Sequence, residues 1–244
     1  MTFRAPRRFA GLVTLALGVL ALAACDGPAG LGAPPTPTAT PTASQILDHT
    51  KNAQIKDATF NLNFQGTAAG QAVSGTGTGA ITTSPNRDEI KLTFNVQGTT
   101  VTLDTIADND TKTSYTKLSG LNLPGVDDTK WTKGPLAGGS GSLVDTSQLT
   151  DFANLRDAKL VGVETVNGQK VWHLQGTASP SAGDTSASGT EDLFISQDKY
   201  YPVQVKIHTT GAAAADITLT FTAVNSGATV ALPPADQIQD SSAG

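Results

Sequence analysis

Residues 90–96 read IKLTFNV, and the order of these seven residues decides the fold. Ile90, Leu92, Phe94 and Val96 alternate with Lys91, Thr93 and Asn95. Successive side chains of a β-strand point to opposite faces, so this run builds one apolar face and one wetted face. The same rhythm recurs along the chain. Phe60, Leu62 and Phe64 enclose Asn61 and Asn63; Val203, Val205 and Ile207 enclose Gln204 and Lys206; Ile217, Leu219 and Phe221 enclose Thr218 and Thr220. Asn167-Gly168 is a strong type I′ hairpin signal, and Pro85-Asn86, Gln97-Gly98, Asp108-Asn109 and Asp198-Lys199 are weaker turn signals. The spacing predicts about ten strands in a largely antiparallel, strongly curved sheet.

Two segments break this rhythm. Ser44 to Ala53 starts on a Ser cap and carries Ile46, Leu47 and Ala53 at helical spacing. Asp145 to Arg156 offers Asp, Thr and Ser caps ahead of Leu149, Phe152 and Ala153. Gly134 to Ser142 reads as a Gly-rich loop, and Thr177 to Gly189 as a polar, mobile hairpin tip. A sheet with one apolar face and only two short helices cannot leave that face in water. Either it closes on itself around a packed core, or the helices cap a cavity that something apolar fills. Alternation alone allows both.

The N-terminus carries a different message. Arg4, Arg7 and Arg8 make a basic start, and Phe9 to Ala24 follow without a charge, the order of a secretory signal. At ~1.5 Å per residue the uncharged stretch spans roughly 24 Å, short of a transmembrane helix. It ends in Leu22-Ala23-Ala24-Cys25, which resembles the lipobox of bacterial lipoproteins. That resemblance implies cleavage before Cys25 and a diacylglyceryl group on its sulfur, often with acylation of the new amine. Cys25 is the one cysteine of the chain, so an internal disulfide is excluded. Residues 26–43, DGPAGLGAPPTPTATPTA, hold five prolines and read as an extended tether, up to roughly 55 Å long at ~3.1 Å per residue. The expected layout is a signal peptide over 1–24, the lipidated Cys with its tether over 25–43, a β domain over 44–238 and a flexible tail over 239–244. The expected location is the outer side of the cell membrane, lipid-anchored.

Charge narrows the partners. The chain has 16 basic and 21 acidic residues, and removal of the signal's three arginines leaves a net charge of −8. An acidic chain without basic runs does not suit nucleic acid or electrostatic docking on anionic lipid heads. Two buried acyl chains at ~0.8 kcal/mol per CH₂ supply on the order of 20 kcal/mol of anchoring without a basic patch. Catalytic signals are absent from the reading. His49, His173 and His208 have no Cys, Asp or Glu at ligand spacing, so no metal or cofactor is expected. Gly138 to Ser142 fails the last glycine of a nucleophile elbow. Gly75-Thr76-Gly77-Thr78-Gly79 is a Gly-rich strand or bulge with no helix after it to receive a phosphate. Asp108-Asn109-Asp110 lacks the Gly and distal Glu of a calcium loop and reads as a turn.

Several stretches resemble the LppX/LprG group of bacterial lipoproteins, a branch of the LolA-like fold. Ser44 to Phe64 resembles its opening helix and first strand. Tyr115-Thr116-Lys117 with Lys130-Trp131-Thr132-Lys133 resembles its Tyr and Trp strand starts, and Val166-Asn167-Gly168 with Val171-Trp172-His173-Leu174 its hairpin. Asp192-Leu193-Phe194-Ile195 followed by Tyr201-Pro202-Val203-Gln204-Val205-Lys206-Ile207 is the most telling pair, and Phe221, Asn225 and Pro233-Pro234 resemble the closing strand and its exit. The likeness is one of order and spacing over most of residues 44–238; the Gly-rich stretches 66–79 and 134–142 and the long loop 177–189 depart from it.

The resemblance implies an α+β, mainly β fold: an unclosed, strongly curved antiparallel β-barrel with short helices covering the concave side. It also implies binding of an acylated lipid or glycolipid in a hydrophobic cavity, for lipid transport across the envelope. The lining expected on that analogy is Phe60, Leu62, Phe64, Leu92, Phe94, Leu103, Leu193, Ile195, Val205, Ile207, Leu219 and Phe221. The expected protein is a monomer and not an enzyme. The competing reading is a structural or sensory envelope module on the same fold that binds a protein partner.

Overall fold

A computed structural model describes residues 40–68, 71–96, 98–121, 127–136, 155–177, 188–210 and 214–240. The expected signal peptide, Cys25, most of the tether, the loop 178–187, the helix candidate up to residue 154 and the last four residues lie outside them. Among the described residues there is one α-helix, α1 (Ala43–Asn52). Its cap is Thr42 and not Ser44. The Thr42 hydroxyl accepts the Gln45 N–H at 3.3 Å, and the Thr42 N–H donates to Gln45 Oε1 at 2.9 Å. This reciprocal pair satisfies two amides that the helix start would otherwise leave open, and it moves the start of the fold ahead of residue 44.

Twelve strands follow where about ten were expected: β1 (Asp57–Ala68), β2 (Gln71–Thr83), β3 (Asn86–Val96), β4 (Thr99–Asp108), β5 (Thr113–Ser119), β6 (Trp131–Pro135), β7 (Arg156–Val166), β8 (Gln169–Thr177), β9 (Ser188–Ser196), β10 (Pro202–Thr210), β11 (Ala215–Val224) and β12 (Ile238–Asp240). Arg156, assigned from the sequence to the end of a second helix, opens β7. Residues 239 and 240, assigned to a fraying tail, pair in parallel with Thr132 and Lys133 of β6. A strand this short escapes an alternation test, because it takes its place from its neighbour.

All twelve strands form one sheet in the order β12-β6-β5-β4-β3-β2-β1-β11-β10-β9-β8-β7. Its two edges do not pair, so the curved sheet is open. Every neighbouring pair but β12–β6 is antiparallel. Asn167 (φ 51°) and Gly168 (φ 79°) make the tight turn between β7 and β8, as their left-handed conformations require. Asp108 Oδ1 accepts the N–H groups of Asp110 and Thr111, which makes the 108–110 segment a turn.

The core lies on one face of the sheet. Ala43, Ile46 and Leu47 of α1 pack there with Phe60, Leu62, Ile90, Leu92, Leu155, Leu174, Leu193, Ile195, Val205 and Leu219. On the opposite face, Ile106, Tyr115 and Trp131 are covered by Val230 and Ile238 of the C-terminal segment. That segment is tied down at its start by Asp57, whose Oδ1 accepts the N–H groups of Ser226 (2.8 Å), Gly227 (3.0 Å) and Ala228 (3.0 Å).

Candidate ligand-binding face

The strand registers place one residue from each of ten strands in a single line. It runs Leu160, Leu174, Leu193, Val205, Leu219, Leu62, Gly77, Leu92, Leu103 and Leu118, from β7 to β5. From Leu174 to Leu92 its side chains are at most 3% exposed. Burial of such a side chain stabilises by about 1.5–3 kcal/mol when complete.

A second line runs beside it: Ile207, Ile217, Phe64, Gly75, Phe94 and Val101. Here Ile207, Ile217, Phe64 and Phe94 are only half-buried. This line lies toward the end of the sheet where β1 and β3 finish and β2 and β11 start. Helix α1 meets the other end. The His49 ring packs on Tyr200, between β9 and β10, at 4.6 Å. Asn225 there accepts the Lys56 N–H (2.7 Å) and donates to the Gln54 carbonyl and the Tyr201 hydroxyl. The apolar face of the sheet is therefore packed against α1 at one end and only half-buried at the other.

Three glycines of β2 interrupt its apolar side chains on this face. Gly75, Gly77 and Gly79 alternate with Thr76 and Thr78, so all three lie on the same face as Leu62 and Leu92. A Cβ at Gly75 would lie 2.6 Å from Phe64 Cζ, and one at Gly77 2.6 Å from Leu92 Cδ2; Gly79 is approached still more closely by Phe60. Side chains from β1 and β3 thus lie across β2 where its own are missing.

All twelve residues expected to line a cavity come together on this face. Phe60, Leu62, Leu92, Leu193, Ile195, Val205 and Leu219 belong to the buried cluster, and Phe64, Phe94, Leu103, Ile207 and Phe221 pack against it, half-buried. Sequence reasoning omitted Leu174, Trp172 and Ile217, which share the cluster. The alternation of Val171-Trp172-His173-Leu174 carried the signal for the first two.

Over β1, β2 and β3 the outer face is polar. Hollows of about 430 and 380 Å³ there are lined by Asn61, Asn63, Thr76, Thr78, Lys91 and Thr93, and by Gln65, Thr67, Ser74 and Asp216. The three histidines are dispersed. His49 sits on α1, His208 pairs with Asp216, and His173 lies between Glu164 (2.6 Å) and Asp192 (2.9 Å) with its ring stacked on Phe194. Burial pushes the Glu89 carboxyl above its usual range, and the charge of Asp104 adds to this. The Ala228 N–H, helped by those of Ser226 and Gly227, holds the Asp57 carboxyl below its usual range against the opposing effect of burial.

No family model matches the chain. By sequence it is 28% identical over 184 residues to LprG, the lipoarabinomannan carrier protein of Mycobacterium leprae, a match covering 72% of this chain and 71% of that one. By structure it is similar to LprF from Mycobacterium bovis, with a TM-score of 0.52 and 16% identity over 79% of this chain and 96% of LprF. The lipoprotein LppX of Mycobacterium tuberculosis aligns over 77% of this chain and 98% of its own, at 16% identity and a TM-score of 0.48. The resemblance to LppX/LprG-type lipoproteins is thus met again by sequence in LprG and by fold in LprF.

Proposed function

We propose that this chain is an extracytoplasmic lipoprotein that takes an acylated lipid or glycolipid onto the apolar face of its sheet and carries it within the envelope. It catalyses no reaction in this reading. It is held to the outer side of the cell membrane by the diacylglyceryl group on Cys25 and acts as a monomer. One observation carries the proposal. The second apolar line, Ile207 to Phe94, is half-exposed at the end of the apolar face away from α1. Covering such surface with an acyl chain gains ~25 cal/mol per Å², and the sealed first line gives it a rigid wall. The likeness to LprG, a carrier of lipoarabinomannan by name, supports the same reading.

Native mass spectrometry of the full chain, released from detergent, tests it. Adducts at lipid masses that survive release, and increase when lipid is offered, are the expected result. A clean protein mass with no uptake overturns lipid binding and favours the protein-partner reading. The mass of the N-terminal peptide reports separately on the anchor, because a diacylglyceryl group on Cys25 must appear there.

A further inference from the structure

The stretch Leu160-Val161-Gly162-Val163-Glu164 lies on β7, the edge strand, which has β8 on one side and no strand on the other. Leu155, just ahead of the strand, and Ala158 and Leu160 within it anchor its first half in the core beside α1. The register then shifts between Leu160 and Gly162, and Val161 and Val163 are 56% and 53% exposed. Little apolar burial holds the strand beyond this bulge. A polar tie holds it instead. His173 on β8 sets its Nδ1 2.6 Å from Glu164 Oε1 on β7 and its Nε2 2.9 Å from Asp192 Oδ1 on β9. The ring stacks on Phe194, and Gln175 Nε2 donates to the same Asp192 oxygen at 2.9 Å. Two lysines complete the charges around this site. Lys159 on β7 stands opposite Gln175, and Lys206 on β10 stands opposite Asp192 with its ammonium 5.1 Å over the Phe194 ring.

We propose that His173 is a pH-sensitive latch on the open edge of the sheet: its protonated ring ties β7 to β9, and loss of the proton releases the end of β7 beyond the bulge. Both carboxylates accept hydrogen bonds, and an imidazole donates from both nitrogens only when it is protonated. Such charge-assisted bonds are stronger than neutral ones. A neutral ring keeps one N–H. Asp192 sits on an inner strand and is also held by Gln175, so the Nε2–H stays with it. The lone pair on Nδ1 then faces the Glu164 carboxylate and the two repel. Glu164 is 47% exposed and turns to water. Acid therefore fastens the edge, and a rise in pH loosens it.

Hydrogen exchange of the full chain in detergent tests the latch at pH 5 and pH 8, the range in which histidines commonly change charge. Rates are corrected for the intrinsic pH dependence of amide exchange and referred to β10. The amides of Val163 to Val166 are expected to lose about tenfold in protection between pH 5 and pH 8, which corresponds to ~1.4 kcal/mol. His173→Gln should remove that step. Glu164→Gln should remove it too, because a carboxamide can accept from or donate to Nδ1 and holds the edge at both pH values. Nitrogen chemical shifts of the ring report its proton count in the wild type, and circular dichroism confirms that the variants are folded. No step in the wild type, a step that survives in either folded variant, or a His173 ring with one charge state from pH 5 to pH 8 overturns the latch.

Discussion

Leu92 reaches across β2 to cover Gly77, so that a Cβ at Gly77 would lie 2.6 Å from Leu92 Cδ2 and 2.8 Å from the Lys91 carbonyl oxygen. The side chain is able to rotate away, but the carbonyl belongs to the paired backbone of β3. In an open strand alanine would be favoured over glycine by roughly 0.5–1 kcal/mol. Overpacking at a site this tight costs about 1–3 kcal/mol and wins. Gly77→Ala is therefore expected to lower the urea midpoint with an unchanged slope; an equal or higher midpoint would show that β2 has more room than the geometry gives it.

The two lines of the apolar face should respond differently to truncation. Leu62 and Leu92 are 2% and 3% exposed, so replacing either with Ala should cost about 2–5 kcal/mol of stability. Phe94 and Ile217 belong to the half-exposed line. Phe94→Ala and Ile217→Ala should stay folded, lose less stability, and take up less lipid from vesicles. Unchanged uptake in both folded variants would remove the second line from the ligand path.

Asp57 links stability to acid. Its carboxyl is held below the ordinary value of 3.8 in the folded chain, so the stability it contributes is complete above that value and is lost as pH falls through the lowered native one. Asp57→Asn lacks this contribution at every pH. Thermal midpoints of the two proteins should be furthest apart at neutral pH and should converge below pH 3.8. A gap of constant size between pH 2 and 7 would mean that the charge of Asp57 does not matter.

Glu89 has the opposite sign. Burial raises its carboxyl above the ordinary value of 4.5, so its charged form weakens the fold at neutral pH, and this penalty fades as pH falls through the native value toward 4.5. Glu89→Gln should melt higher than the wild type at pH 7 and no higher below pH 4.5. A lower melting point at pH 7 would indicate that the carboxylate supports the fold.

Strand by strand, the fold was legible because alternation is a local property. IKLTFNV and FNLNF each show which residues face inward without reference to anything else. The way those strands align was not legible. Irregularities between Thr59 and Phe60, between Pro202 and Gln204 and between Leu160 and Gly162 shift the registers in which Leu62, Val205 and Leu160 meet their neighbours. Such bulges are set by tertiary packing and carry no fixed residue pattern. The twelve lining candidates were readable as inward-facing, yet their division into sealed and half-exposed lines needed the position of α1.

The place of β1 in the sheet has a consequence for how the chain assembles. Its neighbour on one side, β2, follows at once through a short connection, but its neighbour on the other side is β11, where Phe60 meets Phe221. Until β11 is in place, the first strand thus stands with one row of backbone amides and carbonyls unpaired. Pairings between residues so distant in sequence form slowly, because the intervening chain must be ordered first. The edge left waiting in the meantime is long and rich in aromatic residues, the kind that joins other chains. The pairing of β11 with β1 is therefore the step that closes this edge.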